Sequence, residues 1–257
     1  MPARDISNQL VVFGRRNCRE FSDLLKTLNF NDPSSQDVTF WFKNSGAKLY
    51  NNDRHSNQIE IYLMHDSFEK YELKADDIAV SVRLQSVLDC LFVLDGATSC
   101  FEIHYESVGA PLKIYTEDDG VVLEATIPTT EVNLDNLDFE FTNDLVHDAT
   151  KITIKFSPDR IVFCGIIGDM GESYTEFPRG SDELESYTCE DHGAFSYTPK
   201  ILKRLIPSLA ITTGAQLKID ERGNLSVRSQ VHLVDAPEKP FVDFKCVPMT
   251  VYDDEPE

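Results

Sequence analysis

Residues 111–128, PLKIYTEDDGVVLEATIP, and residues 224–248, NLSVRSQVHLVDAPEKPFVDFKCVP, decide how this chain is built. In each, an alternating strand meets a polar break, and a second strand then stops at a proline. Val121, Leu123, Ala125 and Ile127 share one face of the first stretch, and Leu225, Val227, Val231 and Leu233 share one face of the second. A period of two is the signature of a half-buried strand. The two halves of the chain therefore end alike, and any account of the fold has to say why.

Working outward, short strands are predicted in the first half at 38–43, 47–51, 58–64, 68–73, 77–82 and 100–107, with a further one over NQLVVFGRR, residues 8–16. In the second half they are predicted at 151–156, 161–167, 173–177, 184–189, 194–197 and 216–220. Three segments read as helices instead. In NCREFSDLLKTLN, residues 17–29, Phe21, Leu24, Leu25 and Leu28 recur at helical spacing behind Asn17, a good N-cap. LQSVLDCLFVL, residues 84–94, is apolar almost all round, so it reads as a buried helix ending at Asp95-Gly96. PKILKRLIPSL starts at Pro199, a favoured first-turn residue, with Ile201, Leu202, Leu205 and Ile206 on its apolar side.

Length and composition bound the rest. With 257 residues, either one large domain or two smaller ones fit. The 41% hydrophobic fraction suffices for a core, and no run is apolar enough to span a bilayer, so a soluble intracellular protein without a membrane partner is expected. Six scattered cysteines without a C-x-x-C pair read as reduced, mostly buried thiols. The six histidines lack metal spacing, and neither phosphate-binding glycine loop is present, so no metal, cofactor or catalytic residue is assigned.

The net charge of −20 taken alone argues against a nucleic-acid partner, but where charge sits matters more than its sum. Arg15, Arg19 and Lys26 fall on the side of the first helix away from its apolar stripe, with Asp23 among them, and Arg16 stands beside them. Lys200, Lys203 and Arg204 form the corresponding side of the third helix, with no acid among them. Two readings are open. These are ordinary solvated faces, or they line one surface facing a polyanion while carboxylates elsewhere repel it.

The ordered series VRLQSVLDCLFVLDG, CFEIHYESVGAPLKIYTEDDGVVLEATIP, ITIKFSPDR, SYTEFPRGSDELESY and ERGNLSVRSQVHL resembles the PCNA-like sliding-clamp superfamily. Within it, the resemblance is closest to the Rad-one subunits of the checkpoint clamp, the heterotrimer called nine-one-one. The resemblance implies an α+β DNA-clamp fold of two βαβββαβββ-type units with helices on the inner face. Residues 1–128 would form the first unit, 129–141 a connector, and 142–257 the second unit with its acidic tail. It explains the repeated ending, since each unit closes with the same pair of strands.

It further implies a non-enzymatic checkpoint and repair clamp subunit in the nucleus. Its partners would be Rad-nine-like and Hus-one-like subunits, a separate clamp-loader ATPase, and double-stranded DNA encircled without base readout. Ring closure would use strand edges at Val121, Leu123, Ala125 and Ile127 and at Ser173, Tyr174, Thr175 and Phe177. The connector residues Leu134, Leu137 and Phe139 either pack on the sheets or border a pocket for partner peptides.

One departure from the pattern stands out. Residues 142–150 are too few for the strand and helix that should open the second unit, so that unit is expected to be truncated at its start. Two alternatives to the clamp are a 3′–5′ exodeoxyribonuclease using acids such as Asp138 and Glu140, and a β-rich interaction module without DNA contact.

Overall fold

Most of the chain alternates apolar and polar side chains, and the structure turns that alternation into strands. A computed structural model describes residues 6–30, 36–52, 57–94, 96, 98–132, 151–166 and 171–249. The first half runs β1 (Val11–Arg16), α1 (Cys18–Lys26), β2 (Asp37–Lys43), β3 (Gly46–Asn52), β4 (Asn57–Met64), β5 (Lys70–Leu73) and β6 (Asp77–Arg83). It continues with α2 (Leu84–Val93), β7 (Cys100–Tyr105), β8 (Leu112–Asp118), β9 (Val121–Ile127) and β10 (Thr129–Glu131). The second half contains β11 (Ile152–Ser157), β12 (Arg160–Ile166), β13 (Glu172–Pro178) and β14 (Gly193–Tyr197). A broken helix follows, α3 (Pro199–Leu202) and α4 (Ile206–Ala210), then β15 (Thr212–Ile219), β16 (Leu225–Val231) and β17 (Phe241–Cys246).

Three sheets result, with strand orders β5-β1-β7-β8-β9, β10-β6-β2-β3-β4-β17-β16-β15 and β13-β12-β11-β14. Phe13 of β1 sits between the first two, its ring 5.0 Å from Phe42 and 6.4 Å from Phe40. Phe21 of α1 stacks on Phe101 of β7 at 4.6 Å, which seats the helix on the first sheet. Asn17 caps α1 as expected, its side chain accepting from the Glu20 amide. Asp119 and Gly120, both at positive φ, make the tight turn between β8 and β9, where glycine removes the Cβ clash.

Sheet order makes the duplication explicit. The run β6-β2-β3-β4 in the first half has its counterpart in β14-β11-β12-β13, and β7-β8-β9 has its counterpart in β15-β16-β17. The inward positions correspond, with Val38 and Phe40 of β2, both buried, standing where half-buried Ile152 and buried Ile154 stand in β11. The endings match too. Leu112 pairs with Ile127 as Leu225 pairs with Cys246. Three residues further on, Thr130 pairs with Ser81 and the Met249 amide donates to the Ser196 carbonyl. Each unit thus closes by folding its post-proline segment onto the edge of its own sheet.

The halves are also joined. β17 of the second pairs antiparallel with β4 of the first, giving one eight-stranded sheet across both and one continuous core.

Several expectations need correction. The third helix is not continuous. Pro207 has no amide to donate to the Lys203 carbonyl, and that carbonyl instead accepts from Ile206 in a 3-10 turn over Lys203–Leu205. The resulting offset leaves Ile206 61% exposed, off the apolar side where it was placed. In α2, Phe92 and Val93 are exposed, so that helix is not buried all round. Residues 184–189 form no strand. Tyr187 instead donates its hydroxyl to the Ser157 and Arg160 carbonyls at 2.7 and 2.8 Å, holding the segment over the β11–β12 turn. The expectation of a truncated second unit rests on 142–150, and Leu134, Leu137, Phe139, Asp138 and Glu140 belong to the connector. All of these lie outside the described residues.

Candidate functional site

The duplication singles out two strand edges. Inside the chain, the last strand of the second unit, β17, pairs with β4 of the first. The counterparts of these two strands are β9 and β13. Each ends its sheet, so among the described residues each presents one unpaired edge. Both edges are exposed, with Val121 61% and Tyr174 60% accessible. Leu123 and Ala125 of β9 and Phe177 of β13 are half-buried, Ser173 and Thr175 are exposed, and Ile127 is buried where β9 leaves the sheet. An unpaired edge with its backbone donors and acceptors in water is a ready template for another strand.

The β17–β4 joint shows what a filled edge looks like in this chain. Asp243 lies opposite Glu60, and both are 2% exposed. Two facing buried carboxylates would repel, so cations surround them. Lys245 donates to Glu60 at 2.7 Å, Lys48 is ion-paired with the same carboxylate, and Arg228 donates to Asp243 at 2.9 Å. Gln58 and Tyr62 each add a hydrogen bond to Glu60 at 2.8 Å. Burial alone would raise the Glu60 carboxyl, but the hydrogen bonds and charges of Lys245 and Lys48 outweigh it and hold it below its ordinary value. The Tyr62 and Phe241 rings stack across the joint at 4.5 Å, with the Arg228 guanidinium 4.4 Å from the Phe241 ring. Residue patterns gave no hint of this network, because its members are scattered over four strands.

The basic side chains separate into two groups. Arg16, Arg19, Lys26, Lys200 and Lys203 are exposed. Arg16 pairs with Glu69 at 3.3 Å and Lys26 with Asp23 at 2.7 Å, while Arg19, Lys200 and Lys203 make no ion pair among the described residues.

Arg15 and Arg204 do not belong with them. Arg15 lies in β1, where the alternation of Val11, Phe13 and Arg15 turns it inward, and it is only 6% exposed. Its guanidinium donates to the Ser67 carbonyl at 3.1 Å, the Glu20 carboxylate at 3.2 Å and the Val234 carbonyl at 3.0 Å. Burial lowers its pKa against the pull of Glu20, Glu69 and Asp235. Arg204 lies over the Phe30 ring at 4.7 Å and donates to the Asn57 side chain. Both arginines fasten one unit to the other. The Arg204–Phe30 contact also brings the segment after α1 beside the helical segment of the second half.

Among the described residues no group of three or more His, Cys, Asp or Glu side chains is placed to hold a metal ion. All six cysteines are free, with Cys18 and Cys246 buried and the other four half-buried. Burial pushes the Cys18 thiol up to about 11.

The sequence profile of the family described as Repair protein Rad1/Rec1/Rad17 matches residues 13–155. The chain is 26% identical over 259 residues to "Cell cycle checkpoint protein RAD1" of Mus musculus, covering 90% of each chain. It is 22% identical over 254 residues to "Cell cycle checkpoint protein RAD1 homolog mrt-2" of Caenorhabditis elegans, covering 91% of this chain and 92% of that one. Among solved structures, "Proliferating Cellular Nuclear Antigen from Entamoeba histolytica" superposes with a TM-score of 0.72 at 12% identity, over 94% of this chain and 100% of that one. A chain of the PCNA2-PCNA3 complex from Sulfolobus tokodaii superposes with a TM-score of 0.68 at 18% identity, over 92% and 98%. The fold is thus the α+β clamp fold of these proteins.

Proposed function

The chain belongs to the Repair protein Rad1/Rec1/Rad17 family, and from that membership we propose that it is a non-enzymatic subunit of a heterotrimeric DNA sliding clamp in DNA-damage checkpoint signalling. Residues 1–128 and 142–257 act as its two clamp units and 129–141 as their connector. The observation that carries the reading is the pair of open edges, β9 and β13, whose counterparts β17 and β4 already pair inside the chain. Repeating that internal joint between chains extends the arrangement at both ends, and a heterologous contact that repeats with the right rotation closes a ring.

The remaining roles are proposed from the family resemblance. Arg16, Arg19, Lys26, Lys200 and Lys203 supply diffuse phosphate contacts from the helix-bearing side, which let the ring slide because no base is read. The other two subunits are Rad-nine-like and Hus-one-like chains, a separate ATPase opens the ring for loading, and the site of action is the nucleus. Leu134, Leu137 and Phe139 of the connector are assigned to partner-peptide docking.

The test is co-purification with candidate chains of the other two kinds. A stoichiometric one-to-one-to-one complex that stays on circular DNA supports the reading. Failure of the chain to enter any such complex overturns it.

A further inference from the structure

The internal joint and the open edges match position by position, and the match exposes a difference in charge. In the register of the repeat, Glu124 of β9 takes the place of Asp243, and Tyr174 of β13 takes the place of Glu60. On the same face of β13, Glu172 and Glu176 stand where Gln58 and Tyr62 stand in β4.

The three cations of the joint have no equivalents. Lys245 is replaced by Thr126, Lys48 by Val162, and Arg228 by Tyr115. Neither β9 nor β13 contains a lysine or arginine. Each edge has one cation one strand in. Arg160 is already paired with Glu176 at 3.1 Å, and Lys113 lies behind Thr126. The Tyr174 hydroxyl donates to Glu172.

If β9 of one copy met β13 of another in this register, Glu124 would lie opposite Tyr174 and diagonal to both Glu172 and Glu176. Three carboxylates would be brought together with no cation on either strand. Carboxylates gathered at a closing strand joint are desolvated and repel, and such juxtaposition discriminates strongly against the wrong partner.

We infer that β9 and β13 are charge-selective edges that refuse one another and accept a strand edge from a different chain carrying lysine or arginine opposite Glu124 or beside Glu172. This rests on the clamp reading and names the chemistry of the partner at the same edges. The repeat also fixes the register, with Glu124 and Tyr174 facing the positions that Glu60 and Asp243 respectively occupy in the internal joint.

The experiment is self-association of the chain, measured by sedimentation at low and high salt. The wild-type chain is expected to be monomeric at both. Glu172→Lys with Tyr174→Lys places one cation opposite Glu124 and one diagonal to it, both at exposed positions, and is expected to produce salt-sensitive self-association at least roughly tenfold tighter than wild type. Thr126→Lys restores the Lys245 position on the other strand and is expected to act in the same direction independently. The matched pair Glu172→Ala with Tyr174→Ala removes charge without adding any, and should associate less than the lysine pair.

If both lysine variants keep the wild-type circular dichroism yet sediment as monomers at low salt, the inference fails. It fails equally if the wild-type chain self-associates as strongly as they do. The clamp reading fails separately, if the wild-type chain enters no complex with other clamp chains. Should it enter one whose stability the lysine pair leaves unchanged, only the charge selectivity is lost.

Discussion

The Arg15 guanidinium donates to the Val234 carbonyl at 3.0 Å, tying β1 of the first unit to the loop between β16 and β17 of the second. Glu20 completes the clasp, accepting from Arg15 at 3.2 Å and from the Val234 amide at 3.3 Å. A buried cation committed in this way ties the two units together and is turned away from any phosphate at the surface. Arg15→Ala should therefore destabilise the chain by about 3 kcal/mol, because it strips the cation from Glu20 and removes the donor to the Ser67 and Val234 carbonyls. Urea unfolding would register this as a lower midpoint. An Arg15→Ala chain of wild-type stability that binds DNA less well would place the residue back on the DNA face.

The exposed cations should behave in the opposite manner. Lys200→Glu with Lys203→Glu is expected to leave the unfolding free energy within about 0.5 kcal/mol of wild type, as for surface sites away from packed features. In the assembled clamp the same pair should weaken DNA association and reduce the salt slope by roughly 0.9 per lost phosphate contact. Unchanged association and slope would remove the third helix from the DNA face.

Glu102 governs part of the acid stability. The hydrogen bond with His104 at 2.9 Å, together with Lys70 at 3.2 Å, outweighs burial and holds its carboxyl at about 2, against an ordinary 4.5. A carboxylate whose folded pKa is depressed stabilises the fold fully above the ordinary value, and loses that contribution as pH falls from there toward 2. Glu102→Gln should be less stable at neutral pH and should show a shallower loss of stability below pH 4.5. Parallel pH profiles for the two chains would contradict the assignment.

The Lys70–Glu102 bridge passes over Gly14, which lies between them in β1. A Cβ at Gly14 would penetrate the carbonyl oxygen of Phe101. Gly14→Ala should therefore cost about 2 kcal/mol, within the range of overpacking, and should disturb β1 pairing at both neighbours. Thermal melting checks it, and a neutral effect would mean that β1 shifts freely, against its pairing on both sides.

The repeated strand-break-strand endings were legible because period two survives translation into strands almost unchanged. They gave β8 with β9 and β16 with β17, whereas the open edge at Val121–Ile127 came from the family resemblance and not from the period. The helical spacing of Phe21, Leu24 and Leu25 likewise carried over into α1.

What failed was reading Arg15 and Arg204 by their place on a helix. Arg15 precedes the helix and obeys the strand alternation of Val11 and Phe13, a signal that was present but subordinate to the helical one. Arg204 lost its expected exposure to the Phe30 ring, a contact across more than half the chain that no local pattern encodes. The Glu60–Asp243 joint was equally out of reach, since it exists only once β17 is laid beside β4.

Amide hydrogen exchange, measured on the chain alone and within the assembled clamp, tests the central claim most directly. The account predicts that Val121–Ile127 and Glu172–Pro178 exchange rapidly at their outward amides in the free chain and slow markedly together on assembly. Assembly that protects other surfaces while leaving both strands as fast as before would contradict it.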